Sequence, residues 1–361
     1  MFKTGYVDIV KSISSINPED YARSRNYIDG AVTYLSPYIS RGVISTKMIY
    51  QFLIEKGYDL RQVEKFIQEL AWRDYWQQVW LAKGDAIDKD LRFQQPRVAH
   101  YNIPSAIIEM ATGIDVIDES ISQLYKTGYM HNHLRMYLAS MACVQAQSHW
   151  STPAKWMYYH LLDGDWASNA LSWQWVAGAN SNKQYVANQE NINKYTKTKQ
   201  TGTFLDVSYE SLPLKVIPKS LQATTLFDWQ TTLPNQTALQ INAAWPSLIY
   251  NSYNLDPLWR ADQNANRILL LEPSHFEKYP VSEKVLQFVL DLSKNITNIQ
   301  IYVGEFADLH GLVSGNIYYK EHPTANHYKG TEDARDWMFT VNGYDHSFFK
   351  FWKKCKKEIP F

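Results

Sequence analysis

Apolar residues recur at three- and four-residue spacing through most of 45–180, and no other feature narrows the possible folds as much. The runs "TKMIYQFLIEKG", "RQVEKFIQELAWRDYWQQVWLAKG", "IPSAIIEMATG" and "HLRMYLASMACVQAQSHW" each present one apolar stripe, with glycine near several of their ends. That period belongs to helices packed side by side, so an all-α domain is expected over 1–200. From about 195 to 260 the period is lost in "KYTKTKQTGTF" and the Pro- and Thr-containing text after it, so 201–262 reads as a linker and irregular extension. Beyond it the pattern changes. "RILLLE" and "IQIYVGE" are short strand-like runs on either side of the helical "SEKVLQFVLDLSKN", and "NIYYKE" makes a third strand. The expected fold class is therefore α + α/β, with 263–361 a small α/β, Rossmann-like domain that ends in the basic helix "SFFKFWKKCKKE".

Charge limits the partners. Lys+Arg and Asp+Glu balance at 36 each, so no global basic field attracts nucleic acid, and any such binding must rest on a local patch. The two cysteines, Cys143 and Cys355, supply neither a disulfide framework nor a Cys-ligated metal, which fits a reducing compartment. The N-terminal "MFKTGYVDIVKSISS" has no apolar signal region and no apolar run reaches 18 residues, so a cytoplasmic protein without a membrane partner is expected. The 13 Trp and 25 Tyr suit either large buried contacts or surfaces that stack on flat ligands.

The stretch "GYMHNHLRMYLASMAC" (128–143) sets His131, Asn132, His133 and Arg135 at the head of an otherwise apolar helix. His131 and His133 are two apart and point to different sides, unlike the i, i+4 pairs of helical zinc sites. "DGDWASNALSWQ" (163–174) opens like a calcium loop but has Ser168 and Gln174 where that loop needs Gly and Glu. No metal is expected. In 60–82, Glu69, Trp72, Arg73 and Trp76 share one helical stripe, mixing charges with indoles. Asn132, Arg135, Met136 and Ala139 share another, a polar end followed by small or soft residues. Either stripe fits a buried polar network or the wall of a planar-ligand site.

Six segments in order, "YARSR", "YLSPYISRG", "ELAWRDYW", "TGYMHNHLRM", "LLDGDWASN" and "SWQWVAG", resemble the flavin domain of the photolyase and cryptochrome family across roughly 18–195. The resemblance implies an all-helical domain that holds FAD in a bent conformation. It assigns Tyr21, Thr33, Leu35 and Ser36 to the FAD phosphates and ribityl chain. Phe66, Arg73, Asn132 and Arg135 would also contact the cofactor, and Asp163 and Asp165 would meet its polar edge and adenosine side. Since a buried guanidinium alone is costly, Arg135 is expected to pair with Asp163.

Repair enzymes and light sensors of this family share one pocket. Asn169, at the position facing flavin N5, resembles the repair enzymes. Glu69, Trp72, Met136 and Trp175 match positions that contact a flipped cyclobutane pyrimidine dimer, and Met136 stands where enzymes for (6-4) products carry His. The implied activity is light-driven electron donation from reduced FAD to dimers in damaged DNA, with a cryptochrome-like blue-light receptor as the alternative. Arg25 matches a DNA-contacting position, whereas His133 replaces an Arg that meets phosphate. Val32 replaces a Thr of the phosphate segment. Trp173 and Trp150 match the inner two residues of the family's tryptophan electron-transfer chain. Arg97 falls at the outermost position, leaving Tyr101 or Trp156 as substitutes. The usual antenna domain is not expected ahead of the flavin domain, and the C-terminal α/β segment is either a relocated or an unrelated module, with a second chromophore left open.

Overall fold

The computed structural model describes residues 2–313 and 315–360. Two compact units emerge: one joins the chain up to Pro18 with Thr33–Ala82 and everything from Gln230, and the other joins Glu19–Val32 with Lys83–Trp229. The helices used below are α1 (Pro18–Ser24), α2 (Thr46–Glu55), α3 (Glu64–Lys83), α4 (Asp115–Thr127), α5 (Asn132–Ser140), α6 (Ser151–His160) and α7 (Trp166–Ala177). Their ends follow from local chemistry. α2 begins where Ser45 Oγ accepts the Met48 N–H at 3.1 Å, and α7 where Asp165 accepts that of Ser168 at 2.7 Å. α4 stops at Gly128, whose φ of 73° is left-handed and whose Cα faces Leu162 so closely that an added Cβ would lie 2.5 Å from its Cγ.

Two expected helices are shorter than their periodicity. In "IPSAIIEMATG" only Ser105–Ile108 is helical, because Ile103 and Pro104 pair antiparallel with Thr225 and Thr224. The run from His133 to Trp150 is α-helical to Ser140 and continues as a π-helical turn over Met141–Gln145, in which Ala146 N–H reaches back to Met141 O at 2.9 Å, before the helix ends.

In the first unit, strands β1 (Ser247–Tyr250), β2 (Asn266–Leu271), β3 (Ile299–Val303), β4 (Ile317–Lys320) and β5 (Thr331–Asp333) form one parallel sheet in the order β3-β2-β1-β4-β5. β2 is buried along its whole length, as a parallel sheet covered on both faces requires. Helices α8 (Pro273–Lys278), α9 (Glu283–Ser293) and α10 (Phe306–Leu312) lie between its strands in sequence. Ile268 and Leu270 pack with Ile249, Tyr319 and, from α10, Phe306 and Leu309.

The expected boundary at 263 is corrected. Central strand β1 lies inside the stretch read as linker, where it pairs with both β2 and β4. Nor does the helical domain expected over 1–200 form one unit. α3 is tied to the C-terminal segment by long-range bonds: Asp74 accepts from Met338 N–H at 3.0 Å, Gln78 from Gly343 N–H at 3.2 Å, and Tyr75 donates to Asp345 O at 3.0 Å. That segment ends in α11 (Phe348–Cys355), started by Ser347, whose side chain accepts the Lys350 N–H.

Candidate functional site

Within the first unit, α3 carries four of the residues singled out. Phe66 is buried. Glu69 is half-buried and ion-paired with Lys65 at 2.9 Å, and Arg73 Nη2 donates to Ser40 Oγ at 2.7 Å. The Trp72 indole lies parallel to the Phe348 ring, centroids 3.6 Å apart and planes at 10°, so α11 covers one face of the indole. Phe349 meets Trp72 edge-on at 6.5 Å. Leu35 is buried, Ser36 opens the short helix Ser36–Ser40, and Thr33 Oγ1 accepts the Leu35 N–H at 3.4 Å. Beneath the stripe, Asp74 accepts from Thr46 Oγ1 at 2.9 Å, and burial pushes its carboxyl up to about 6.

Within the second unit, α5, α6 and α7 bring the other residues together. Arg135 Nη2 bonds both carboxylate oxygens of Asp163, at 3.0 and 2.9 Å, while its Nε donates to Met130 O at 2.8 Å. The expected pair is formed, with 6% of the Asp163 side chain exposed. Asp165 caps α7, and one turn on, Asn169 Nδ2 donates to Ala154 O at 2.8 Å. That bond orients the amide and leaves Oδ1 to act as an acceptor. Asn132 is exposed at the start of α5 and Met136 is half-buried one turn on. Tyr21, on α1, and Arg25 just beyond it are half-buried. His133 donates from Nδ1 to Asn26 O at 2.8 Å and stacks on Tyr137, and burial, with the Arg25 charge, holds its pKa below the ordinary value. A neutral imidazole there gives no charge to a phosphate.

Of the indoles, Trp175 is 40% exposed while Trp173 and Trp150 are buried. Trp150 Nε1 donates to Asp90 Oδ1 at 2.8 Å, and the same oxygen lies 3.2 Å from His149 Nε2. The His149 ring is 5.7 Å from Trp150 and stacks at 4.6 Å on Tyr101, which is 64% exposed. An aromatic series thus runs from the interior to solvent through Tyr101. Trp156 is fully buried, its Nε1 donating to Tyr125 Oη at 3.2 Å, and Arg97 donates to Leu214 O. Asp90, His149, Ala154 and Phe348 carried no motif of their own. The apolar spacing of "SFFKFWKKC" marks a buried stripe without naming the indole it covers.

A single Asn amide fixed as an acceptor, a guanidinium locked onto a buried carboxylate and an exposed indole one helical face away suit a planar, hydrogen-bonding cofactor better than a metal. The model of the FAD binding domain of DNA photolyase matches residues 66–251, just over half of the chain, so the protein belongs to this family, whose cofactor is FAD. It is 36% identical over 166 residues to the deoxyribodipyrimidine photo-lyase of Streptomyces griseus, covering 44% of this chain and 35% of that one. To the cryptochrome DASH of Synechocystis it is 26% identical over 241 residues, covering 63% and 44%. A crystal structure of Synechocystis cryptochrome aligns with a TM-score of 0.47 at 23% identity, over 54% of this chain and 44% of that one. The matched stretch spans about a third of the photo-lyase relatives' length. No helix among the described residues is long and apolar enough to cross a membrane.

Proposed function

We propose that the protein is a light-driven DNA-repair flavoprotein that binds FAD non-covalently and acts on cyclobutane pyrimidine dimers in damaged DNA. The observation that carries this reading is Asn169. Its Nδ2 is committed to Ala154 O, so the free Oδ1 suits an N–H donor, and reduced flavin carries one at N5. FAD held here in reduced form would supply light-driven donation of an electron to the dimer, returned once the ring has opened. The protein's own residues bind and orient. Within the second unit, Tyr21, Asn132, Arg135, Asp163 and Asp165 would hold the cofactor; Thr33, Leu35, Ser36, Phe66 and Arg73, of the first unit, are assigned to it by the family resemblance alone. The exposed Trp175 ring offers a stacking surface for an unstacked base, a contact worth roughly 1–3 kcal/mol. Glu69, once released from Lys65 and protonated, would donate to the base carbonyl, and Met136 would pack against the lesion. Electrons for reduction would enter at Tyr101 and pass inward through Trp150 and Trp173. Asp90 is placed to take the indole proton of Trp150 or to stabilise its positive charge.

A blue-light receptor without repair activity is the second reading, and one observation favours it: Phe348 already lies on one face of Trp72, which a lesion would otherwise use. Competition binding separates the two. Repair requires a dimer-containing oligonucleotide to displace a labelled probe at lower concentration than its undamaged counterpart; equal competition supports the receptor.

A further inference from the structure

Residues 345–358 carry five lysines against Asp345 and Glu358, a net charge of +3 in a chain whose total is zero. This is the kind of local patch that a neutral chain needs in order to bind a polyanion. α11 sorts these residues strictly. Phe348, Phe351, Trp352 and Cys355 are buried, spaced i, i+3, i+4 and i+7. The opposite face presents Lys350, Lys353, Lys354 and, in the turn that follows, Lys357 at the same spacing, all exposed. At the stripe's N-terminal end stands Phe349, 68% exposed and edge-on to Trp72.

Helix stability accounts for only part of this arrangement. Lys353 and Lys354 lie in the last turn, where the macrodipole favours cations, but Lys350 sits in the first, where it opposes one. An exposed Phe adds no burial. Lys354 is held by Asp345 at 2.8 Å, with Lys350 3.9 Å from the same carboxylate, whereas Lys353 and Lys357 carry no ion pair among the described residues. The stripe from Lys350 to Lys357 rises about 10 Å, roughly three nucleotide steps of one strand. The apolar face is buried against the protein's own aromatics, including Trp72 and Tyr75, so it is not available to enter a lipid surface.

We propose that α11 is a nucleic-acid-binding face on which Lys350, Lys353, Lys354 and Lys357 bind the phosphates of a strand and Phe349 stacks on an unpaired base. This deepens the repair reading, since it puts a strand beside Trp72, but binding to undamaged DNA in the dark does not depend on that reading.

The test is fluorescence anisotropy of the full chain with labelled, undamaged oligothymidine at several salt concentrations. Lys353→Glu/Lys357→Glu should weaken binding about tenfold or more at low salt and lower the slope of log K against log salt by about 1.4, two phosphate contacts at about 0.7 each. Phe349→Ala should weaken binding by about fivefold or more with the salt slope unchanged. The control Lys11→Glu/Lys47→Glu, with the same change in charge at exposed positions elsewhere, should do neither. Equal binding by the wild type and the Lys353/Lys357 variant overturns the proposal, as does an equal loss in the control. Loss of binding to phosphatidylserine vesicles but not to oligothymidine overturns it in favour of a membrane. Light-driven repair that survives an unchanged Kd would keep the repair reading and discard this one; stripe-dependent binding without repair would do the reverse.

Discussion

Replacing Arg135 with Ala removes the guanidinium that meets both oxygens of a carboxylate with only 6% of its side chain exposed. Breaking a buried pair by deleting one partner costs about 3–5 kcal/mol, because the remaining charge stays in a poorly solvating site. Arg135 is itself 19% exposed, so water reaches the pair and the lower end applies, about 3 kcal/mol. The bond from Nε to Met130 O is lost as well, within the same margin. For a unit of this size the midpoint should fall by about 6–12 °C, read from tryptophan fluorescence on heating. Adding Asp163→Asn removes the stranded charge, so the double variant should recover about 1–2 kcal/mol relative to the sum of the two single changes. Flavin retained after gel filtration should fall in parallel with Arg135→Ala. A loss below about 1 kcal/mol, or strict additivity in the cycle, refutes the view that this pair organises the second unit.

Three further outcomes are expected. Asp74 has its folded pKa raised to about 6 from an ordinary value near 4, so its contribution favours folding most at low pH and fades as pH rises through that window. Urea unfolding should then show wild type losing up to about 3 kcal/mol relative to Asp74→Asn between about pH 4 and 7, and a pH-independent difference contradicts this. Tyr101→Phe should slow photoreduction of bound oxidised FAD at least as much as Trp156→Phe does, with Trp173→Phe stopping it; an unaffected Tyr101→Phe with a slowed Trp156→Phe assigns the outer position to Trp156 instead. Trp175→Ala, removing an exposed ring, should leave flavin content unchanged and weaken lesion binding about tenfold, and loss of flavin would show that the indole supports the cofactor instead.

The helical half of this fold was legible because its signal is local. α3 repeats an apolar stripe over several turns, and Asp165 marks the start of α7 by capping it. The Arg135–Asp163 pair was legible once the family resemblance had set both residues at one cofactor, since a buried guanidinium then needs a partner. β1 was not. "SLIY" is four residues long, too short for alternation to register, and it becomes a central strand only through pairing with partners far along the chain. β5 is polar and lies at the sheet edge, so burial never marked it. The cover on Trp72 was hidden for a different reason. Helical phase gives the face that Trp72 shares with Glu69 and Arg73, but the ring that lies on it comes from 276 residues later, where only amphipathic spacing is visible.

The central claim is tested most directly by illuminating the FAD-loaded, chemically reduced protein with dimer-containing oligothymidine and following thymine absorbance. The account predicts recovery of absorbance that requires both light and reduced flavin, and that falls when Glu69 becomes Ala more than when it becomes Gln. No recovery from a fully reduced, flavin-saturated protein that binds lesion-containing and undamaged DNA equally would contradict it.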